Sequence, residues 1–317
     1  MFAASMKIGL DSRPRPRRVP ANGVILAIDA GGTSVRARGL AGHRVIFAGR
    51  GGPGNPLSSR DAELRRSYDD ALDGCPPPDV IAACVAGAGS PEGRSSIERI
   101  LAERFPVASV YVVPDYVGTW LAAPGGTDVT VVCGTGSIAC TRAPDGQFRS
   151  RGGHGWLLSD HGSAVRLGKA VLEHHCINPG TALSEQLGLL YGASDVNDLA
   201  NRLRVAATAA TAMALAAPLL THAAENGSGW ASRLLASEMD ALVQTAAPLL
   251  PPLTPGARPA QIALAGGVFR SPAAKHCFRS SCDQLEKDVS VVEVEEEGVV
   301  GAVRLGETLM RGEDGSH

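Results

Sequence analysis

The chain lacks any strong excess of charge: 30 Lys and Arg stand against 32 Asp and Glu in 317 residues, a formal net charge of -2. That balance excludes a broad electrostatic grip on nucleic acid, which needs a field of positive charge along the phosphates. A long apolar run is also missing. The most apolar stretch, "VAATAATAMALAAPLL" at 205–220, is 16 residues and mostly alanine, too short and too weakly hydrophobic to span a bilayer. A buried helix is expected there. The seven cysteines (75, 84, 133, 140, 176, 277 and 282) are an odd count with no C-x-x-C pair, which points to reduced core thiols in a cytoplasmic protein. No apolar segment followed by a small-residue cleavage site follows the N-terminus, so export is not expected. Two nucleotide signatures are absent as well. Neither Gly-x-x-x-x-Gly-Lys-Ser/Thr nor a Gly-x-Gly-x-x-Gly opening a βαβ unit occurs, which argues against P-loop and Rossmann folds.

What is present suits a soluble globular protein of two domains: 44% hydrophobic and 20% charged residues over a length that fills two cores. Residues 1–23 read as a disordered leader whose one basic run, Arg13, Arg15, Arg17 and Arg18, is interrupted by prolines. From Val24 an apolar strand runs to Asp29, followed by a glycine turn and strands near 34–40 and 43–49. A polar segment at 58–74 has helical spacing, with Ser58 or Ser59 as its cap. "DVIAACVAGAG" and "VASVYVVPD" read as buried strands around a helix, so 24–118 forms an N-terminal α/β domain. The pattern restarts after "AAPGG" and defines a second α/β domain at 119–296, mostly helical from 160 to about 250. A last helix at about 297–311 is expected to return to the first domain. Strand, glycine turn and strand recur at 25–40 and 129–142, which suggests two similar domains facing each other.

Three glycine turns each follow a buried strand: "DAGGT" at 29–33, "CGTGS" at 133–137 and "AGGV" at 265–268. Glycine lets backbone N–H groups approach phosphate oxygens, and Thr or Ser adds a hydroxyl donor. A hairpin or a tight strand–helix connection explains any one of them equally well. Asp29, beside the first turn, is placed to address Mg²⁺ through water, or to cap its own turn. Asp115, in "VVPDYVGTW", is placed to take a proton from an attacking hydroxyl, or to cap a helix.

Together these residues resemble the N-acetylglucosamine kinase and glucosamine kinase branch of the sugar kinase–Hsp70–actin ATPase superfamily, which also holds activator-type ATPases. The resemblance runs from residue 24 to about 311. It rests on "AIDAGGTSVRA", "GGPGN", "VAGAG", "PDYVGTWLA", "VVCGTGSIA", "GGHGWLLSDHGSA" and "LAGGVFRS", in that order. It implies two ribonuclease H-like, actin-like ATPase domains with an interdomain active-site cleft, closing on ATP and a sugar whose 6-hydroxyl is phosphorylated. It places Asp29 at Mg²⁺ and Gly31, Gly32, Thr33 and Ser34 at the first phosphate motif. Gly134, Thr135, Gly136 and Ser137 match the second, and Gly266 and Gly267 the loop near the nucleoside. Asp115 matches the catalytic base and touches substrate. Asn55, Thr135, Gly153, His154 and Asp160 fall at sugar-contacting positions. The partner implied is a small-molecule sugar, with no nucleic acid and no membrane; a homodimer is one arrangement open to it.

The match departs from the family in "GGHGWLLSDHGS", residues 152–163, where the family pattern is closer to Gly-Gly-Trp-Gly and Gly-Asp-Glu-Gly-Ser. His154 replaces a flat apolar wall, Ser159 a glycine, and His161 a carboxylate that only accepts hydrogen bonds. Such changes would move the preference toward another amino sugar, hexose or cyclitol, or would merely repack the helix start. A zinc site from His154, Asp160 and His161 with His174, His175 or Cys176 lacks a compact tetrahedral spacing. An activator-type ATPase would need cysteines for an iron–sulfur cluster, and Cys133 and Cys140, flanking one strand, are poor evidence for that. A sensor would need a DNA-binding module, which a leader of about 23 residues cannot fold.

Overall fold

The computed structural model describes residues 23–206, 209–252 and 258–311; the expected leader, with Arg13, Arg15, Arg17 and Arg18, lies outside them. The described residues group into two units. One takes in 23–125, 140–149 and 294–311, the other 126–139 and the described part of 150–293.

The first unit opens with β1 (Val24–Ala30), β2 (Val35–Ala41) and β3 (Arg44–Gly51), a meander of short apolar runs cut by glycine turns. Helix α1 (Asp61–Leu72) follows, then β4 (Val80–Val85), α2 (Pro91–Arg104), β5 (Ser109–Pro114) and α3 (Asp115–Ala122). The sheet order is β3-β2-β1-β4-β5, with β1 antiparallel to β2 and parallel to β4, and β4 parallel to β5. β4 is buried at every position, as a central parallel strand covered on both faces should be. Ser58 and Ser59 do not cap α1. Their backbone N–H groups donate to the Asn55 carbonyl at 3.2 and 3.1 Å, and the helix starts after Arg60 with no side-chain cap. Asp61 and Glu63 in its first turn face the positive helix end instead.

The second unit repeats the plan. Strands β6 (Val129–Cys133), β7 (Ser137–Arg142) and β8 (Phe148–Gly152) lead into α4 (Ala164–Ile177), α5 (Ala182–Tyr191), α6 (Val196–Val205), α7 (Ala209–Ala214), α8 (Ala217–Glu225) and α9 (Gly229–Ala246). Then come β9 (Ala260–Ala265), α10 (Pro272–Cys282) and β10 (Val289–Glu293). The order β10-β9-β6-β7-β8 is the first sheet's order with each strand moved five places along the chain. The repeat legible at 25–40 and 129–142 is thus a repeat of topology. Helix α9 is the spine of this core, burying Leu235, Met239, Leu242 and Val243, each contributing roughly 1.5–3 kcal/mol. Residues 205–220 are not one buried helix. Among the described residues of this run, Val205 ends α6, Ala209–Ala214 form α7 and α8 starts at Ala217, and Val205 and Leu215 are exposed. Pro218 near the start of α8 has no N–H to continue a preceding helix, and alanine buries too little surface to force one.

Helix α11 (Gly298–Arg311) belongs to the first unit and crosses α3. The two backbones meet at glycine: a Cβ on Gly301 would overlap the Gly118 carbonyl. Arg304 Nη1 then donates to the Leu121 carbonyl at 2.6 Å. Among the described residues no helix is long and apolar enough to cross a membrane.

Candidate functional site

Because β1, β4 and β5 are parallel and in register through Ala30, Val85 and Pro114, their carboxyl ends form one rim of the first unit. Open α/β sheets bind ligands at such rims. The Ala86 N–H donates to the Ala30 carbonyl at 2.8 Å and ties two of the three ends together.

Asp29, half-buried near the end of β1, lies opposite Arg36 in β2. Burial pushes its carboxyl above the usual range; Arg36 draws it down and Glu297 pushes it up. Glu297 in turn lies 3.6 Å from Arg36 and 3.1 Å from Arg38. The start of α11 presses on the same carboxylate, since a Cβ on Gly298 would stand 2.7 Å from Asp29 Oδ1. Asp115 is the first residue of α3 and not its cap; Pro114 holds that position. Its Oδ1 accepts the Tyr116 N–H at 3.0 Å. Burial, and then the charge of Asp29, push the Asp115 carboxyl up to about 6 against the pull of backbone N–H groups. The rim therefore carries two carboxyls, each made reluctant to ionise.

The turn beside them is held by its backbone: Gly31 N–H donates to the Ser34 carbonyl and Gly54 N–H to the Gly31 carbonyl, both at 2.9 Å. Gly32 and Thr33 are exposed, and a Cβ on Gly31 or Gly32 would meet no protein atom within 4 Å. Internal packing does not require glycine at either place. Asn55 is fixed in its own turn, where Oδ1 accepts the Leu57 N–H at 2.9 Å and abuts Gly87, which follows β4 with φ +84°.

In the second unit β6 and β9 are parallel, so the turns at 134–136 and 266–267 leave neighbouring strand ends. Gly266, at φ +101°, lies so close to the Cys133 backbone that no side chain fits; Gly267 and Gly134 face open space. Thr135 and Gly136 are exposed. Ser137 is buried and its Oγ donates to the His161 carbonyl at 2.7 Å, so that hydroxyl ties the glycine turn to the loop at 153–163. Gly136 makes the second tie, because a Cβ there would stand 2.7 Å from Asp160 Oδ2.

Residues 153–162 form turns before α4, which Ser163 caps by accepting the Arg166 N–H at 3.3 Å. Gly153 has φ +71°, and its Cβ position is 2.7 Å from Ile138 Cδ1. His154 is exposed; its backbone N–H donates to Ser159 Oγ at 3.0 Å, and Ser159 Oγ donates to Asp160 Oδ1 at 3.1 Å. Asp160 is buried at φ 55°, a left-handed conformation that costs a non-glycine residue on the order of 1 kcal/mol. Burial raises its carboxyl above the usual range, while Ser159, backbone N–H groups and His154 pull it back. Asp160 is thus a strained carboxylate aimed at the glycine turn.

Two acidic residues escaped the sequence reading. Glu238 on α9 accepts the Gly162 N–H at 2.8 Å and Arg166 Nη2 at 2.6 Å, and it lies 3.6 Å from His161 Nδ1. Its one sequence signal is its place three after Leu235 and four before Leu242, on the buried face of the helix. Glu297 gave no signal, since Arg38 is 259 residues away. His174 stacks on Trp230 with ring centres 3.8 Å apart, and His175 Nδ1 meets Ser184 Oγ at 2.9 Å. Among the described residues no three His, Cys, Asp or Glu converge to hold a metal ion. Cys133 and Cys140 are buried, with Sγ donating to the carbonyls of Gly162 and Tyr116, and burial pushes the Cys133 thiol well up.

Two α/β lobes built on mixed five-stranded sheets of one order are consistent with the actin-like ATPase fold. Comparison with solved structures supports that class. The chain superposes on a putative N-acetylglucosamine kinase from Chromobacterium violaceum with a TM-score of 0.71, at 21% identity over 90% of this chain and 100% of the other. A putative N-acetylglucosamine kinase from Porphyromonas gingivalis gives a TM-score of 0.70, at 16% identity over 90% and 98%. In sequence, the chain is 27% identical over 164 residues to the N-acetylmuramic acid/N-acetylglucosamine kinase of Clostridium acetobutylicum. That match takes in 46% of this chain and spans about half, 52%, of the curated relative. No family model matches the chain.

Proposed function

We propose that the protein is an ATP-dependent sugar kinase that phosphorylates the 6-hydroxyl of an amino sugar, N-acetylglucosamine or glucosamine. The observation that carries this reading is the pair Asp29 and Asp115 at one strand rim beside a glycine turn with open space around it. Two carboxyls whose charges resist each other suit a hard divalent cation and a proton in transit. Asp29 would hold Mg²⁺ through water. Gly31, Gly32, Thr33 and Ser34, with Gly134, Thr135, Gly136 and Ser137, would hold phosphates, and Gly266 and Gly267 would border the nucleoside. When bound, ATP would supply the phosphoryl group and Mg²⁺ would offset its charge. Asp115 orients the sugar hydroxyl and takes its proton, a task for which a carboxyl poised near 6 is suited. Asn55, Thr135, Gly153, His154 and Asp160 would contact the sugar. The names of the similar proteins support an amino sugar.

A kinase for a different hexose, a modified amino sugar or an aminocyclitol is the second reading, favoured by His161 with Glu238 against it. Phosphorus NMR of the product formed from ATP and each candidate sugar separates the two; a 6-phosphate of N-acetylglucosamine or glucosamine is expected. The glycines divide the same way in function. Gly32→Ala is expected to leave the melting temperature unchanged and to raise the KM for ATP. Gly136→Ala, pressed on Asp160, is expected to raise the KM for the sugar about tenfold, worth about 1.4 kcal/mol. Steady-state kinetics and thermal melts of the two variants read both outcomes.

A further inference from the structure

We propose that Glu238 is the positioning residue of the loop that carries Asp160, and that His161 is the side chain this clamp is matched to. The assignment of Asp160 to the sugar rests on the function proposed above; the clamp itself rests on geometry within the second unit. Glu238 has a side chain only 12% exposed, and both of its oxygens are used on one short segment, residues 161–166. Oε2 takes the Gly162 N–H, Oε1 takes Arg166, and the His161 ring stands beside Oε2. Burial works against the charge on Glu238, yet Arg166 and the Gly162 N–H hold its carboxyl below the usual range. It is an ionised group with both of its oxygens bonded to the loop.

The loop needs such an anchor. Asp160 and Gly162 both have left-handed backbone, at φ 55° and 73°. Gly162 lies flat on α9, its Cβ position 2.8 Å from Met239 Cε and 3.2 Å from Leu242 Cδ2. The Ser163 N–H closes the turn on the Asp160 carbonyl at 3.1 Å. The charges that meet there are Asp160, His161, Arg166 and Glu238, with Glu173 felt at Arg166. A carboxylate in place of the imidazole at 161 would face Glu238 at close range with a like charge. The histidine that departs from the expected motif therefore has a partner, 77 positions on in α9.

The test uses the full chain without ligand and then with ATP and sugar. Glu238→Gln keeps the shape but leaves one acceptor oxygen for two donors. Hydrogen–deuterium exchange over 153–163 is expected to quicken, and the KM for sugar to rise about tenfold while the KM for ATP stays within about twofold. His161→Glu is expected to show the same defect, and His161→Glu with Glu238→Gln to recover at least about threefold of the lost sugar affinity. Unchanged exchange in both single variants, or a double variant whose losses simply add, would overturn the clamp. If Glu238→Gln does not fold, His161→Glu alone decides: faster exchange supports the clamp and unchanged exchange rejects it. A wild-type protein that phosphorylates no sugar would defeat the kinase reading while leaving the exchange measurement a valid test of the clamp.

Discussion

Asp115→Asn is expected to lower turnover by a factor of about 100 to 10,000, the span that a positioned proton acceptor contributes, and to make the protein more stable while doing so. The two effects have one origin. In the folded protein the Asp115 carboxyl sits at about 6, driven there by burial and by Asp29, against 3.8 without those influences. The native state therefore binds this proton more tightly than the unfolded chain does. Stability falls as pH rises from about 4 to 6, and the full penalty, on the order of 2–3 kcal/mol, is present above 6. Asparagine keeps the oxygen that accepts the Tyr116 N–H and carries no charge. Thermal melts should show a higher midpoint for the variant at pH 8 and a shrinking advantage as pH drops toward 4. The wild-type kcat/KM should fall below about pH 6 as the base becomes protonated. Retained turnover, or a variant less stable than wild type at pH 8, would remove Asp115 from this role.

Gly301→Val is expected to be the most damaging single change to the fold. The position lies where α11 crosses α3, and an added Cβ would overlap the Gly118 carbonyl. Backbone cannot rotate away as a side chain can, so one of the two helices must shift. The other side of the crossing is equally tight: a Cβ on Gly118 would stand 2.8 Å from Cys84 Sγ, in the fully buried strand β4. Overpacking of this kind costs roughly 3 kcal/mol or more, which for a unit of this size lowers the melting midpoint by about 10 °C. Calorimetry checks it; a midpoint within about 2 °C of wild type would mean that the crossing is loose. Gly32→Ala, at a glycine equally prominent in the sequence, is expected to leave the fold untouched.

That contrast bears on what the sequence could reveal. The central strands β1, β4, β5, β6 and β9 were legible as short apolar runs, and the doubled "strand, glycine turn, strand" pattern at 25–40 and 129–142 anticipated two sheets of one topology. Asp29 and Asp115 were legible as strand-end carboxyls. The cap of α1 was not, because Ser58 and Ser59 lie in the turn closed on the Asn55 carbonyl, ahead of Arg60, where the helix begins. The run at 205–220 misled because alanine is apolar enough to read as buried and too small to enforce it. Glu238 reads as an ordinary helical glutamate; its meaning lies in Gly162, 76 residues earlier, and only the packing of α9 under the loop brings them together. The glycines looked alike in sequence, yet structure divides them into those pressed by protein atoms, such as 136, 266 and 301, and those facing open space, such as 31, 32, 134 and 267.

The central claim is that ATP is consumed only when a sugar hydroxyl is present to receive the phosphoryl group. A coupled assay of ADP release with Mg²⁺ and ATP, over a panel of amino sugars, hexoses and aminocyclitols, tests it most directly. The account predicts negligible release without sugar, strong stimulation by N-acetylglucosamine or glucosamine, and loss of that stimulation in Asp115→Asn. ADP release at one rate with and without every sugar, unaffected by Asp115→Asn, would contradict it.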